Sequence, residues 1–153
     1  NININIDNLN DYHLSIIMGT RNDNYGENQI KRIITTLRQY IMFPWYNKYG
    51  LKIEIIITQY NYIPTNLFIY EEPLFIKLMN DVNNTKYIEN ISIKFINVPH
   101  KYSYPSLHNI SIYCPMLEFT AKNIALRRSK SQWKLVTNQD NFFPEPLLRW
   151  IAG

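Results

Sequence analysis

Glycine is scarce, with only four in the chain at Gly19, Gly26, Gly50 and Gly153. They form neither a Gly-x-Gly-x-x-Gly turn nor a Gly-Lys-Ser/Thr loop, which removes the backbone cradles of dinucleotide sites and P-loops. The lone cysteine, Cys114, excludes an intrachain disulfide and a cysteine-built zinc site, and is expected to serve packing. His13, His100 and His108 lack the i, i+4 helical spacing of a zinc pair, and no Gly-x-Ser-x-Gly nucleophile elbow is present. Long apolar runs are missing too. Runs such as that around Ile53 to Ile57 are strand-sized, far short of the roughly 18 residues of a membrane span. The opening Asn-Ile repeat has no basic n-region and no small-residue cleavage site, so it does not read as a signal peptide, and a cytoplasmic setting is expected for this segment. Sequons at Asn83, Asn90 and Asn109 carry little weight in a chain this rich in asparagine.

A length of 153 residues with 46% apolar and 18% charged residues fits one ordered domain with a real core. Residues 1–12 read as a tail or added edge strand, and 13–153 as the domain. The excess of 16 basic over 12 acidic side chains gives a formal +4, which suits an anionic ligand and equally an ordinary soluble surface.

The apolar pattern sets the element order. His13 to Met18 is a continuous apolar run broken only by Ser15, the mark of a strand buried on both faces. Ile30, Ile33, Ile34, Leu37 and Ile41 follow at helical spacing, with Lys31, Arg32, Arg38 and Gln39 left for the wet side and Pro44 as the stop. Leu51 to Thr58 predicts a second strand, with Gln59 to Asn66 as a polar loop at its carboxyl end. A helix opening at Pro73 and a strand from Ile91 to Val98 come next. Pro99 to Ser111 has no sustained period and reads as a long loop. From Pro115 a helix is predicted with Met116, Phe119, Asn123 and Leu126 near one stripe and a Glu118–Lys122 pair, ending at Arg127 and Arg128. Gln132 to Thr137 is the fourth strand, and Pro144 to Ile151 the last helix, with Leu147, Leu148 and Ile151 as its apolar stripe. This β-α-β-α-β-loop-α-β-α alternation predicts a largely parallel sheet.

Three polar clusters follow strands: Thr20-Arg21-Asn22-Asp23, Gln59-Tyr60-Asn61 and Asn138-Gln139-Asp140. Each alone is an ordinary turn, because Asn and Asp favour turns. Together they fall at the carboxyl edge of one sheet, near Lys122 and Asn123, where open α/β sheets bind ligands. Asn138 and Asp140 present oxygen atoms at i, i+2, a spacing able to meet a divalent cation and, through it, phosphates.

In the order of these motifs the chain resembles the donor-binding part of a family 2 glycosyltransferase of the GT-A fold. Leu14-Ser15-Ile16-Ile17-Met18-Gly19-Thr20-Arg21-Asn22 matches the opening strand and polar turn, and Glu54 to Asn61 the second strand. Ala121-Lys122-Asn123-Ile124-Ala125 echoes an Ala-Arg-Asn-x-Gly helix, and Asn138-Gln139-Asp140 falls on the Asp-x-Asp motif, with Pro144 and Leu147 beyond. Gln59 stands where the family has an acid, and Asn138 replaces the first acid of the metal motif.

The resemblance implies a three-layer α/β/α, Rossmann-like, mostly parallel domain. It implies a nucleotide-diphospho-sugar donor, transfer to an acceptor hydroxyl, and a Mn or Mg ion on Asp140. Thr20, Arg21, Asn22 and Asp23 would face the nucleoside, flanked by Gln59 and Asn61. Lys122, Asn123 and Asn138 would lie near the diphosphate. The acceptor half, source of the family's catalytic base, has no counterpart in these residues, so the chain reads as part of something longer and no base is nominated. Two rival readings stand beside this one. One is a non-catalytic nucleotide-sugar or carbohydrate binding module. The other, a basic nucleic-acid domain built on Arg127, Arg128, Lys130 and Trp133, lacks the charged stripe with repeated aromatics that such surfaces use, so nucleic acid is not the expected partner.

Overall fold

The computed structural model describes residues 12–23, 26–45, 50–83, 85–99 and 116–152. The opening Asn-Ile segment, His100, His108, Cys114, the sequon at Asn109 and nearly all of the expected long loop lie outside the described residues.

Among the described residues four parallel strands form one sheet: β1 (Tyr12–Thr20), β2 (Ile53–Tyr62), β3 (Ile91–Pro99) and β4 (Ser131–Val136). Their order is β3-β2-β1-β4. The helices are α1 (Gln29–Met42), α2 (Pro73–Asn83), α3 (Glu118–Leu126) and α4 (Glu145–Ala152), with short 3₁₀ turns at Ile69–Glu71 and Lys86–Asn90. The chain is thus an α/β protein with an all-parallel sheet, as its alternating patterns predict. No helix among the described residues is long and apolar enough to cross a membrane.

The continuous apolar runs fill both sides of the central strands. Leu14, Ile16 and Met18 pair with Ile53, Ile55 and Ile57. They pack with Ile33, Leu37 and Ile41 of α1, Phe75, Leu78 and Val82 of α2, and Leu148 of α4. Residues of the other parity, Ile17 and Ile56, meet Ala125 of α3, while Tyr60 and Val98 meet Ala121. Trp45 closes the far end of the main core, edge-on to Phe43 at 4.4 Å, with its indole N–H donating to the Tyr40 carbonyl at 2.8 Å.

Two expectations need correction. The stripe expected on α3 is split: Phe119 is 82% exposed and Asn123 is exposed, while Met116 and Leu126 pack partly on the core and Ala121, Lys122 and Ala125 are buried. Small side chains win that face because the helix presses onto β1. A Cβ placed on Gly19 would lie 2.9 Å from Met116 Cε and 3.0 Å from Ala121 Cβ, so glycine is what permits the approach. The second strand, in turn, does not end at Thr58. It runs on through Gln59 to Tyr62, paired with β3 across a register shift between Tyr60 and Tyr62, and Asn61 takes a left-handed φ of 53°.

One polar cluster lies inside the sheet. Glu54 of β2 is fully buried, and its Oε1 accepts from the Lys130 backbone N–H at 2.9 Å and lies 2.6 Å from Ser15 Oγ. Its Oε2 forms an ion pair with Lys94, whose ammonium also sits 5.1 Å from the Tyr12 ring centre. Ser15 Oγ is also 2.6 Å from Ser131 Oγ, so this cluster ties β3, β2, β1 and β4 together across the sheet.

Candidate functional site

The strand order reverses between β1 and β4. From β1 the chain leaves toward β2 on one side, while β4 joins β1 on the other, so a crevice opens between their carboxyl ends. A cavity of about 170 Å³ occupies that crevice. Gly19 and Arg21 line it from the end of β1, Gln29 and Arg32 from the first turn of α1, Asn138, Gln139 and Asp140 from beyond β4, and Met116 and Glu118 from the start of α3.

The entry into α1 is unusual in its backbone. Gly26, Glu27 and Asn28 have φ of 68°, 59° and 49°, three left-handed residues in succession, two of which carry a side chain. Asn28 stands at the N-cap without making a side-chain cap, and the next residue, Gln29, faces the cavity.

Amide and charged side chains knit the walls. Gln29, 1% exposed, donates to Thr20 Oγ1 at 2.9 Å and exchanges amide hydrogen bonds with Gln139 at 2.7 and 3.0 Å. Arg32 reaches Asp140 Oδ2 at 2.9 Å and Gln29 Oε1 at 3.1 Å. Lys122 pairs with Glu118 and donates to Asn138 Oδ1 at 2.6 Å. Arg21 pairs with Asp23 in a setting more enclosed than a surface turn, and its Nε is buried without a hydrogen-bond partner among the described residues. Every carboxylate that lines the cavity therefore faces a cation.

Of the site residues expected from sequence, Arg21, Asn138 and Asp140 line the cavity, and Thr20, Asp23 and Lys122 bond to residues that do. The rest are held elsewhere. Asn22 fastens the segment after β2, accepting from Ile63 N–H at 2.7 Å and donating to the Ile63 and Asn66 carbonyls at 2.9 and 3.2 Å. Gln59 is fully buried inside β2, accepting from Ile69 N–H at 2.7 Å and donating to Asn97 Oδ1 at 2.5 Å. Neither Gln59, Asn61 nor the exposed Asn123 lines the cavity. Gln29, Arg32 and Glu118 are polar lining residues that lie outside the clusters the sequence reading selected. Their signal was position: the first turns of helices next to a parallel sheet reach its ligand-binding edge.

A resident divalent cation fits these residues poorly. The Asp140 carboxylate is engaged by Arg32 and the Asn138 oxygen by Lys122, and among the described residues no three His, Cys, Asp or Glu side chains gather as a metal set.

Behind the cavity, the buried Tyr40 hydroxyl donates to the Asn141 carbonyl at 3.0 Å. Burial pushes its pKa up from 10.0 to about 12, with a hydrogen bond to Thr137 pulling slightly the other way. The neutral phenol is the folded form, so its contribution is intact below pH 10 and is lost as pH rises toward 12. Urea titrations across that window should show wild type losing about 2–3 kcal/mol relative to Tyr40→Phe. Parallel pH profiles would remove this role for Tyr40.

No family model matches the chain, and no curated protein and no solved structure matches it either.

Proposed function

We propose that this chain is the donor-binding part of a GT-A-type, glycosyltransferase-like domain, a three-layer α/β/α Rossmann-like unit that holds a nucleotide-diphospho-sugar for transfer to an acceptor hydroxyl. The observation that carries this reading is the cavity between the carboxyl ends of β1 and β4, where side chains from both strand ends and from the start of α1 converge. At about 170 Å³ it encloses a group the size of a diphosphate, which leaves nucleoside and sugar along its rim. The Gln29–Gln139 amide pair offers exchangeable hydrogen bonds to base or ribose there.

One observation favours a second reading, that of a binding module without chemistry. Asp140 and Glu118, the carboxylates lining the cavity, are both paired with cations, which leaves neither poised as a base.

Calorimetric titration of the chain with a panel of nucleoside diphosphates and their sugar conjugates tests both readings. Saturable binding with a preference for one nucleotide is expected, and a ligand at a hundred times its Kd should add roughly 2.7 kcal/mol to stability. Binding without transfer, even with acceptors present, would select the second reading. Silence across the panel would remove both.

A further inference from the structure

The charges in the cavity are already matched in a way that leaves a divalent ion little to do. Asp140 is the single carboxylate of its turn, and it holds Arg32 through a pair whose side chains are 33% and 41% exposed, open enough to exchange. A dication placed there would share Asp140 with Arg32 and the Asn138 oxygen with Lys122, and so sit beside two cations. Arg32 also lies in the first turn of α1, whose uncapped amino end adds partial positive charge at the same wall. A second, independent observation points to an anion. Arg21 is 9% exposed, lines the cavity with its outer nitrogen paired to Asp23, and carries a buried Nε–H without an acceptor among the described residues, a donor that a small turn of the side chain would bring to an anionic oxygen.

We propose that Arg32, with Arg21 and Lys122, meets the diphosphate charge of the ligand directly, without a divalent cation, and that Asp140 holds Arg32 in place until the anion displaces it. This rests on the nucleotide-sugar reading for the identity of the ligand, but the anion site itself does not. Guanidinium groups suit the task because their planar donors match phosphate oxygens in pairs. Asp140 then acts as a competitor of the ligand, the opposite of a metal ligand's part.

The two parts predict effects of opposite sign. Inorganic pyrophosphate is titrated calorimetrically into the full chain with EDTA, and again with excess magnesium. Binding in EDTA is expected, changed less than about twofold by magnesium. Asp140→Asn should bind about threefold or more tightly because Arg32 is released, and Arg32→Gln about tenfold more weakly. Unchanged circular dichroism and urea midpoints guard against misfolding, since a purely structural Arg32–Asp140 pair would move both variants in one direction. Binding that requires magnesium and vanishes in Asp140→Asn would overturn the proposal, as would no binding in EDTA. Nucleoside diphosphates binding only with magnesium would still leave the nucleotide-sugar reading standing. Conversely, pyrophosphate binding with the expected variant pattern, but no uptake of any nucleotide, would keep the anion site and remove that reading.

Discussion

Glu54→Ala should lower the stability of the chain by about 3–5 kcal/mol, measured as a fall in the urea midpoint. The carboxylate is wholly inside the protein, and its removal strands the Lys130 N–H and the Lys94 ammonium, while the Ser15 hydroxyl keeps Ser131 Oγ as a partner. Lys94 is one-third exposed and turns partly to water, but the backbone N–H cannot. The penalty therefore comes mainly from orphaned groups, not from a lost attraction. Glu54→Gln keeps the acceptor for Lys130 and should cost clearly less. In a double-mutant cycle, Glu54→Ala and Lys94→Ala together should fall short of the sum of the single losses by about 1 kcal/mol or more. Additive losses would mean that Lys94 and Glu54 are independent.

Trp45→Ala is expected to cost a similar 3–5 kcal/mol, for a different reason. The indole is 1% exposed and packs edge-on against Phe43 at the end of the main core. Its N–H also satisfies the carbonyl of Tyr40, one of the last-turn oxygens of α1 that no later helical N–H reaches. Truncation opens a cavity and frees that carbonyl together. Trp45→Phe separates the two, since it keeps an aromatic ring and drops the hydrogen bond, and should cost about 1–2 kcal/mol. Equal losses for Ala and Phe would show that the hydrogen bond, and not packing, dominates.

The element order was readable because the central strands advertise themselves. Ile16-Ile17-Met18 and Ile55-Ile56-Ile57 are β-branched or apolar on both faces, the pattern of a covered parallel strand, and α1 and α2 carry clear stripes. The end of β2 was hidden because Gln59 and Asn61 look like turn residues. Only tertiary partners, Ile69 and Asn97, make Gln59 a strand residue. The inner face of α3 was hidden by its size: alanines give a weak stripe, and the reason for them is Gly19, a hundred residues away in β1. At the candidate site, polar residues directly after β1 and β4 were legible as a ligand edge. Arg32 was not, because a helical wheel assigns it to solvent, while its place in the first turn of α1 brings it to Asp140. Asn22 misled in the opposite sense, since a residue that fastens a neighbouring loop has the same turn chemistry as one that meets a ligand.

The reversal of strand order also governs how the molecule assembles and comes apart. Contacts between β1 and β2, such as Ser15 with Glu54, span 39 residues, whereas Ser15 with Ser131 of β4 spans 116. Closing the longer loop costs about 1 kcal/mol more in chain entropy, and among the described residues the six-residue β4 has β1 as its one neighbour in the sheet. The β1–β2–β3 portion can therefore zip up locally while β4 waits for the most distant contact to form. On this ground one wall of the cavity is expected to form last in folding, and a ligand that spans both walls would act as a clasp on that seam.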